Sequence, residues 1–200
     1  MRQNLLPFLS VCDAVLDVAL LIDRSGSVGD QFPVFLRYIV EFIEGFRVGQ
    51  NRSRFGGVIF NETARVAFSL EEITTFEEYN STITSLDGPG GLTNLADASR
   101  VTRTELLGAL GDRPDVPNVC ILFTDGFATR EQNNTEDEAA LLRQNCTIIT
   151  VSVGNFTDEM QLRAISTNNR FFSVLNFDML STIRDRLTGE VCSLGSGETF

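Results

Sequence analysis

The run of residues 15–22, VLDVALLI, constrains this chain more than any other stretch. An apolar run of this length that stops at a turn suits a strand at the centre of a parallel sheet, covered on both faces. It ends abruptly in Asp23-Arg24-Ser25-Gly26-Ser27, which sets one carboxylate and two hydroxyls at alternating positions. Gly26 gives the backbone a tight path between them. Oxygen donors at this spacing suit a hard cation, magnesium or manganese above zinc. The same residue types also cap helices, so these five residues alone leave both readings open.

The hydrophobic period then alternates between helix and strand. Asp30 is positioned to cap a helix with Pro33 in its first turn, and Phe35, Tyr38, Ile39, Phe42, Ile43 and Phe46 recur on one face. Residues 55–60 and 64–70 read as two strands. The short link Asn61-Glu62-Thr63 demands an antiparallel hairpin, with the second strand at the sheet edge. A weak helix over 76–86 stops at Asp87-Gly88-Pro89-Gly90-Gly91, and Thr93 opens a helix over about 94–110. A second continuous apolar strand, 119–123, ends in Thr124-Asp125-Gly126. After a polar loop over 132–136 come a helix, a strand at 147–153, a helix at 159–165 and a strand at 171–174. A last helix carries Leu180, Ile183, Leu187 and Val191 on one face. This order predicts an α/β fold: a doubly wound, mostly parallel six-stranded sheet with one antiparallel edge strand and helices on both faces. In such sheets ligands bind beyond the carboxyl ends of the strands, where Asp23 and Asp125 both fall.

Two hundred residues suit one such domain, expected over 12–192 with tails at 1–11 and 193–200. The N-terminal tail reads as a linker or the stub of a secretion signal. A net charge of −11 argues against nucleic acid as a partner. The chain has no His, which removes the Ser-His-Asp triad and His-ligated zinc together. No run approaches the roughly twenty apolar residues of a membrane span.

Cys12, Cys120, Cys146 and Cys192 form no CxxC pair, so a zinc ribbon is not expected. A Cys12–Cys192 bond would staple the two ends of the domain. Cys120 and Cys146 begin successive strands and can face each other, although four cysteines allow three pairings. Asn-x-Ser/Thr occurs at Asn51, Asn61, Asn80, Asn133, Asn145 and Asn155, six of thirteen asparagines and several-fold more than the Ser/Thr content gives at random. With the even Cys count, this points to an extracellular protein. All of these except Asn145, whose neighbour Cys146 is a bridge candidate, are expected glycosylation sites.

Asp23-x-Ser25-x-Ser27, then Thr93 after a double glycine, then Thr124-Asp125-Gly126 after an apolar strand, together resemble the von Willebrand factor type A domain. The resemblance runs from about residue 15 to residue 191. It implies a metal-ion-dependent adhesion site, with Ser25, Ser27 and Thr93 as hydroxyl ligands and Asp23 and Asp125 binding directly or through water. It also implies Mg2+ or Mn2+ as the ion and a protein ligand whose acidic side chain completes the metal shell. In relatives that change affinity, the final helix slides along the body. Residues 94–97, Asn-Leu-Ala-Asp, are less typical of the family, so the surroundings of Thr93 are less defined. Asp97 reads as a solvated or helix-dipole residue, and Arg24 as either a ligand contact or a solvated side chain.

The leading expectation is therefore an extracellular binding module, not an enzyme. The alternative is a structural matrix-assembly domain in which the metal is not the ligand contact. A metal-assisted hydrolase using Asp23 as nucleophile lacks an evident general base.

Overall fold

The computed structural model describes residues 11–109 and 111–195. Strands β1 (Asp17–Asp23), β2 (Arg54–Phe60), β3 (Ala64–Phe68), β4 (Asn118–Thr124), β5 (Thr147–Val153) and β6 (Phe171–Val174) form one sheet. Its order is β3-β2-β1-β4-β5-β6. Every neighbouring pair is parallel except β2 and β3, the antiparallel hairpin that the short link requires, and β3 lies at the edge as expected. The helices are α1 (Phe32–Ile43), α2 (Phe76–Thr84), α3 (Leu95–Val101), α4 (Leu107–Ala109), α5 (Thr135–Leu142), α6 (Glu159–Ile165) and α7 (Arg184–Gly195).

Side chains of β1 alternate between two cores. Val18, Leu20 and Ile22 join the cluster under α1, α2 and α7, while Ala19 and Leu21 join the one under α3, α5 and α6. Burial of both faces explains why this strand reads as a nearly unbroken apolar run, and each large side chain so buried contributes about 1.5–3 kcal/mol. The phenylalanine face of α1 packs wholly into the first core, with Phe35 and Phe42 almost completely buried. Leu180, Ile183, Leu187 and Val191 are buried too. They do not share one helix, however, because residues Phe177–Thr182 wind as a tighter 3-10 turn before α7 begins.

Four local expectations change. Asp30 caps nothing: a 3-10 turn over Gly29–Gln31 leads straight into α1, whose N-cap Gln31 makes no side-chain bond. The helix expected over 94–110 widens into a π turn at Thr102–Leu106, which seats Leu106 on β2. There a Cβ on Gly56 would come within 2.7 Å of Leu106 Cδ1, so the bare backbone is what admits the helix. The first strand begins at Asp17, and that carboxylate is fully buried. Arg113 pairs with it through NH2 at 2.7 Å and Nε at 3.0 Å, while the Arg113 backbone N–H donates to Oδ2 at 2.9 Å. Finally, α7 continues to Gly195, so residues 193–195 are helical; the rest of the two expected tails lies outside the described residues except Val11.

Two disulfides complete the frame. Cys12 bonds Cys192 across 180 residues, and Cys120 bonds Cys146 across 26. The parallel register pairs Cys120 with Ile148, which brings the start of β5 alongside β4. The neighbours of β1 are β2 on one side and β4 on the other, so the chain reverses its direction of winding between β1 and β4. The carboxyl ends of those two strands flank the resulting crevice.

Candidate metal centre

Asp23 is the last residue of β1, and its carboxylate is fully buried. Oδ1 accepts the Ser25 backbone N–H at 2.7 Å, and Oδ2 accepts the Thr124 hydroxyl at 2.6 Å. The turn that follows folds its hydroxyls back. Ser25 Oγ lies 3.0 Å from Ser27 Oγ, and Ser27 Oγ donates to Asp125 Oδ1 at 2.8 Å. Residues 98 apart in sequence are thus joined by one hydrogen bond across the mouth of the crevice. The strand ends β1 and β4 bring them together.

Thr93 arrives from a third loop. The Gly26 N–H donates to Gly91 O at 3.0 Å and the Gly90 N–H to Arg24 O at 2.8 Å, which lays the glycine segment along the serine turn. Close approach demands small residues here, since a Cβ on Gly26 would lie 3.3 Å from Gly91 O. Gly91 itself takes a φ of +78°, a conformation that glycine adopts without strain. Thr93 is then clamped through its backbone: its N–H donates to Thr129 Oγ1 at 2.8 Å, and its carbonyl accepts the N–H groups of Thr129 and Arg130. Gly126 completes the pocket wall. A Cβ there would sit 3.6 Å from both Ser27 Oγ and Thr93 Oγ1, so the two hydroxyls converge on one small space.

The electrostatics of this space favour a cation. Burial pushes the Asp23 carboxyl up to about 6; hydrogen bonds from Thr124 and Ser25 oppose the rise, and the charge of Asp125 adds to it. Burial raises Asp125 as well, against the bond from Ser27. Neither carboxylate has an ion-pair partner among the described residues. Nor do the described residues hold any cluster of three or more His, Cys, Asp or Glu placed for a metal. The donor set is instead two carboxylates with three hydroxyls, all hard oxygens, which fits magnesium or manganese.

Several partners of the site were not legible in the sequence. Thr124 stands beside Asp125, and only the fold shows its hydroxyl on Asp23. Thr129, Asn94 and Glu131 carried no motif. Arg24 is half-buried and lies 3.7 Å from Asp87, with a bond to Gly88 O. Asp97 sits in the first turn of α3 as expected, yet it is neither free nor solvated: Oδ2 accepts the Ala64 N–H at 2.7 Å and Oδ1 pairs with Arg100. Asn61, expected on an exposed hairpin tip, is half-buried and donates Nδ2 to Gly90 O at 2.9 Å. Asn51, Asn80, Asn133, Asn145 and Asn155 are exposed.

The model of the von Willebrand factor type A domain matches residues 17–186. Among curated relatives, cuticlin-6 of Caenorhabditis elegans is 28% identical over 186 residues, covering 91% of this chain and 32% of that protein. The collagen alpha-6(VI) chain of Mus musculus is 28% identical over 184 residues, covering 90% of this chain and 8% of that protein. The chain therefore spans a third or less of these relatives. Among solved structures, proximal thread matrix protein 1 from the mussel byssus, with a zinc-occupied MIDAS motif, superposes with a TM-score of 0.84 at 24% identity. That match covers 92% of this chain and 47% of the other.

Proposed function

The chain belongs to the von Willebrand factor type A family, and from that premise we propose that it is an extracellular adhesion or matrix module that recognises a protein partner through a divalent cation. The observation that carries this reading is the hydrogen-bonded run Ser25–Ser27–Asp125, with the buried Asp23 beneath it and the Thr93 hydroxyl beside it. Asp23, Ser25, Ser27, Thr93 and Asp125 would hold Mg2+ or Mn2+ as a metal-ion-dependent adhesion site. The bound ion supplies a Lewis-acidic position for an oxygen of the partner. Two carboxylates balance a divalent charge without exceeding it, because neutral hydroxyls add none, so the ion can still accept an acidic side chain of the partner as its oxygen donor.

The surroundings support a protein partner. Phe127, two residues beyond Asp125, is 51% exposed, and Phe156 is 79% exposed. With Ala128, Asn155, Asp158 and Gln161 they line an open groove of about 470 Å³ beside the site. Exposed aromatic residues next to a polar anchor are typical of a protein-binding surface. Asn61, Asn133 and Asn155 all follow carboxyl ends of strands, so glycans there would border the same face. An occupied Asn61 would have to give up its bond to Gly90 O. Two disulfides and the matrix relatives support an extracellular setting, with residues 12–192 as the domain. The hydrolase reading fares worse: the Asp23 carboxylate is closed to solvent, which leaves a substrate no approach to it as a nucleophile. A matrix-assembly domain that ignores the metal is the second reading, carried by the same relatives.

Isothermal titration calorimetry with Mg2+ and Mn2+ on the wild type and Asp125→Ala tests the site. The wild type is expected to bind and the variant to lose binding with its fold intact. Equal affinity in both would remove Asp125 from the assignment.

A further inference from the structure

The residues around Thr93 form a network of their own. Asn94, 2% exposed, is held on every polar atom. Its backbone N–H donates to Asn61 O at 2.9 Å, and Oδ1 accepts the Asp97 N–H at 3.0 Å. The two hydrogens of Nδ2 go to Glu62 O at 3.2 Å and to Glu131 Oε1 at 3.0 Å. Asn94 thus ties the loop that carries Thr93 to the β2–β3 hairpin on one side and to the loop after β4 on the other.

Glu131 is the unusual member. Its φ of 46° and ψ of 34° place it in the left-handed region. The other non-glycine residues with positive φ among those described are Asn168 and Asn169, a residue type that tolerates this conformation. A glutamate held there signals that its surroundings over-determine it. They do so through its carboxylate, which also accepts both terminal nitrogens of Arg100, at 3.3 and 3.4 Å, and Asn134 Nδ2 at 3.3 Å. Hydrogen bonds from Asn94, Arg100 and Asn134 hold this carboxyl down at about 2, well below the usual range. Arg100 in turn bonds Asp97 at 2.8 Å, and Asp97 fixes the start of β3 through Ala64. The backbone just before Glu131, at Thr129 and Arg130, is the segment that clamps Thr93.

We propose that Glu131, acting through Asn94 and Arg100, is a positioning residue that fixes where Thr93 presents its hydroxyl, and so sets the metal affinity of the site. This rests on the metal reading above. The physical reason is that a hydroxyl is a weak ligand, useful only when held in place before the ion arrives. Outer-shell partners that orient ligands typically change metal affinity about 10- to 100-fold when removed.

The test compares wild type, Glu131→Gly and Glu131→Gln by calorimetry with Mn2+ and Mg2+, by Mn2+ electron paramagnetic resonance, and by urea denaturation in chelator. Glycine takes the left-handed conformation freely, which offsets part of what the lost carboxylate contacts contribute, so Glu131→Gly is expected to stay fully folded without metal with only a modest loss of stability. Its Mn2+ affinity is nevertheless expected to fall at least tenfold, with an altered resonance signature. Glu131→Gln keeps the acceptor for Asn94 but not the charge facing Arg100, and should fall between the two. Wild-type binding with Glu131→Gly within twofold of it overturns the positioning role and leaves the metal site standing. A loss of affinity that appears only together with partial unfolding in chelator overturns it as well, since that describes a merely structural residue. A wild type that binds neither ion overturns the metal site and the positioning role together. Should Glu131→Gly not fold, Glu131→Asn serves the same comparison, because asparagine accepts this backbone but is one methylene too short to reach Asn94.

Discussion

Asp23→Asn should make the metal-free domain more stable while destroying its affinity for metal. The Asp23 carboxyl is fully buried and pushed up to about 6 from an unfolded value of 3.8. Between those two values the folded chain keeps a proton that the unfolded chain has lost. The contribution of Asp23 to stability is therefore greatest below pH 3.8, falls as pH rises through about 6, and stays low above it. A shift of this size is worth about 3 kcal/mol, with no discount for solvent screening because the group is closed to water. Asparagine avoids that cost. Its Oδ1 can accept the Ser25 N–H, and its amide can donate to Thr124 Oγ1, whose own proton has Gly126 O at 3.1 Å as an alternative acceptor. With chelator present, the stability of the variant minus that of wild type should be near zero at pH 4 and approach 3 kcal/mol at pH 8. For a domain of this size that corresponds to roughly 6–12 °C in melting temperature. The chain has no Trp, so urea denaturation is best followed by far-ultraviolet circular dichroism. Added Mg2+ should restore wild type and leave Asp23→Asn unchanged. A stability difference that does not vary between pH 4 and 8 would refute the reasoning, because it would mean that ionisation of Asp23 costs the fold nothing.

Three further outcomes follow from other parts of the molecule. Cys12→Ser with Cys192→Ser removes a cross-link spanning 180 residues and should cost about 5 kcal/mol in the chain-entropy model. Metal affinity measured well below the melting range should also change as α7 loses its tether; an earlier-melting variant with identical affinity would leave the bond a staple only. Arg113→Met strands the buried Asp17 charge and should cost about 3–5 kcal/mol in urea denaturation, and a loss typical of a surface pair, below about 1 kcal/mol, would count against its burial. Phe156→Ser should leave stability within about 0.5 kcal/mol, since the ring is 79% exposed. With short peptides carrying one Glu flanked by either Phe or Ser, wild type should prefer Phe in the presence of Mg2+ and the variant should not; an equal preference in both would remove the groove from the binding surface.

The sheet, its edge strand and its two-sided core were legible because their signals are local. A run such as 15–22 is apolar because both faces are covered, and a three-residue link can only join antiparallel strands. The motif residues Asp23, Ser25, Ser27, Thr93 and Asp125 were legible as a resemblance; Asp23 ends β1, and the other four lie in the loops at the carboxyl ends of the strands. What the sequence left open is how those loops hold one another. Ser27 meets Asp125, Thr93 meets Thr129, Asn94 meets Glu131 and Asp17 meets Arg113 across separations of 98, 36, 37 and 96 residues. No periodicity or turn rule links such positions. Glu131 in a left-handed backbone and Asp17 inside an apolar strand even contradict the local rules, which is why neither was anticipated. Sequence determined which segments become strands and helices, because that choice depends on neighbours along the chain. The tertiary structure alone decided which polar atoms share the crevice between β1 and β4, because a hydrogen bond between two loops exists only once the sheet order has placed their strand ends side by side.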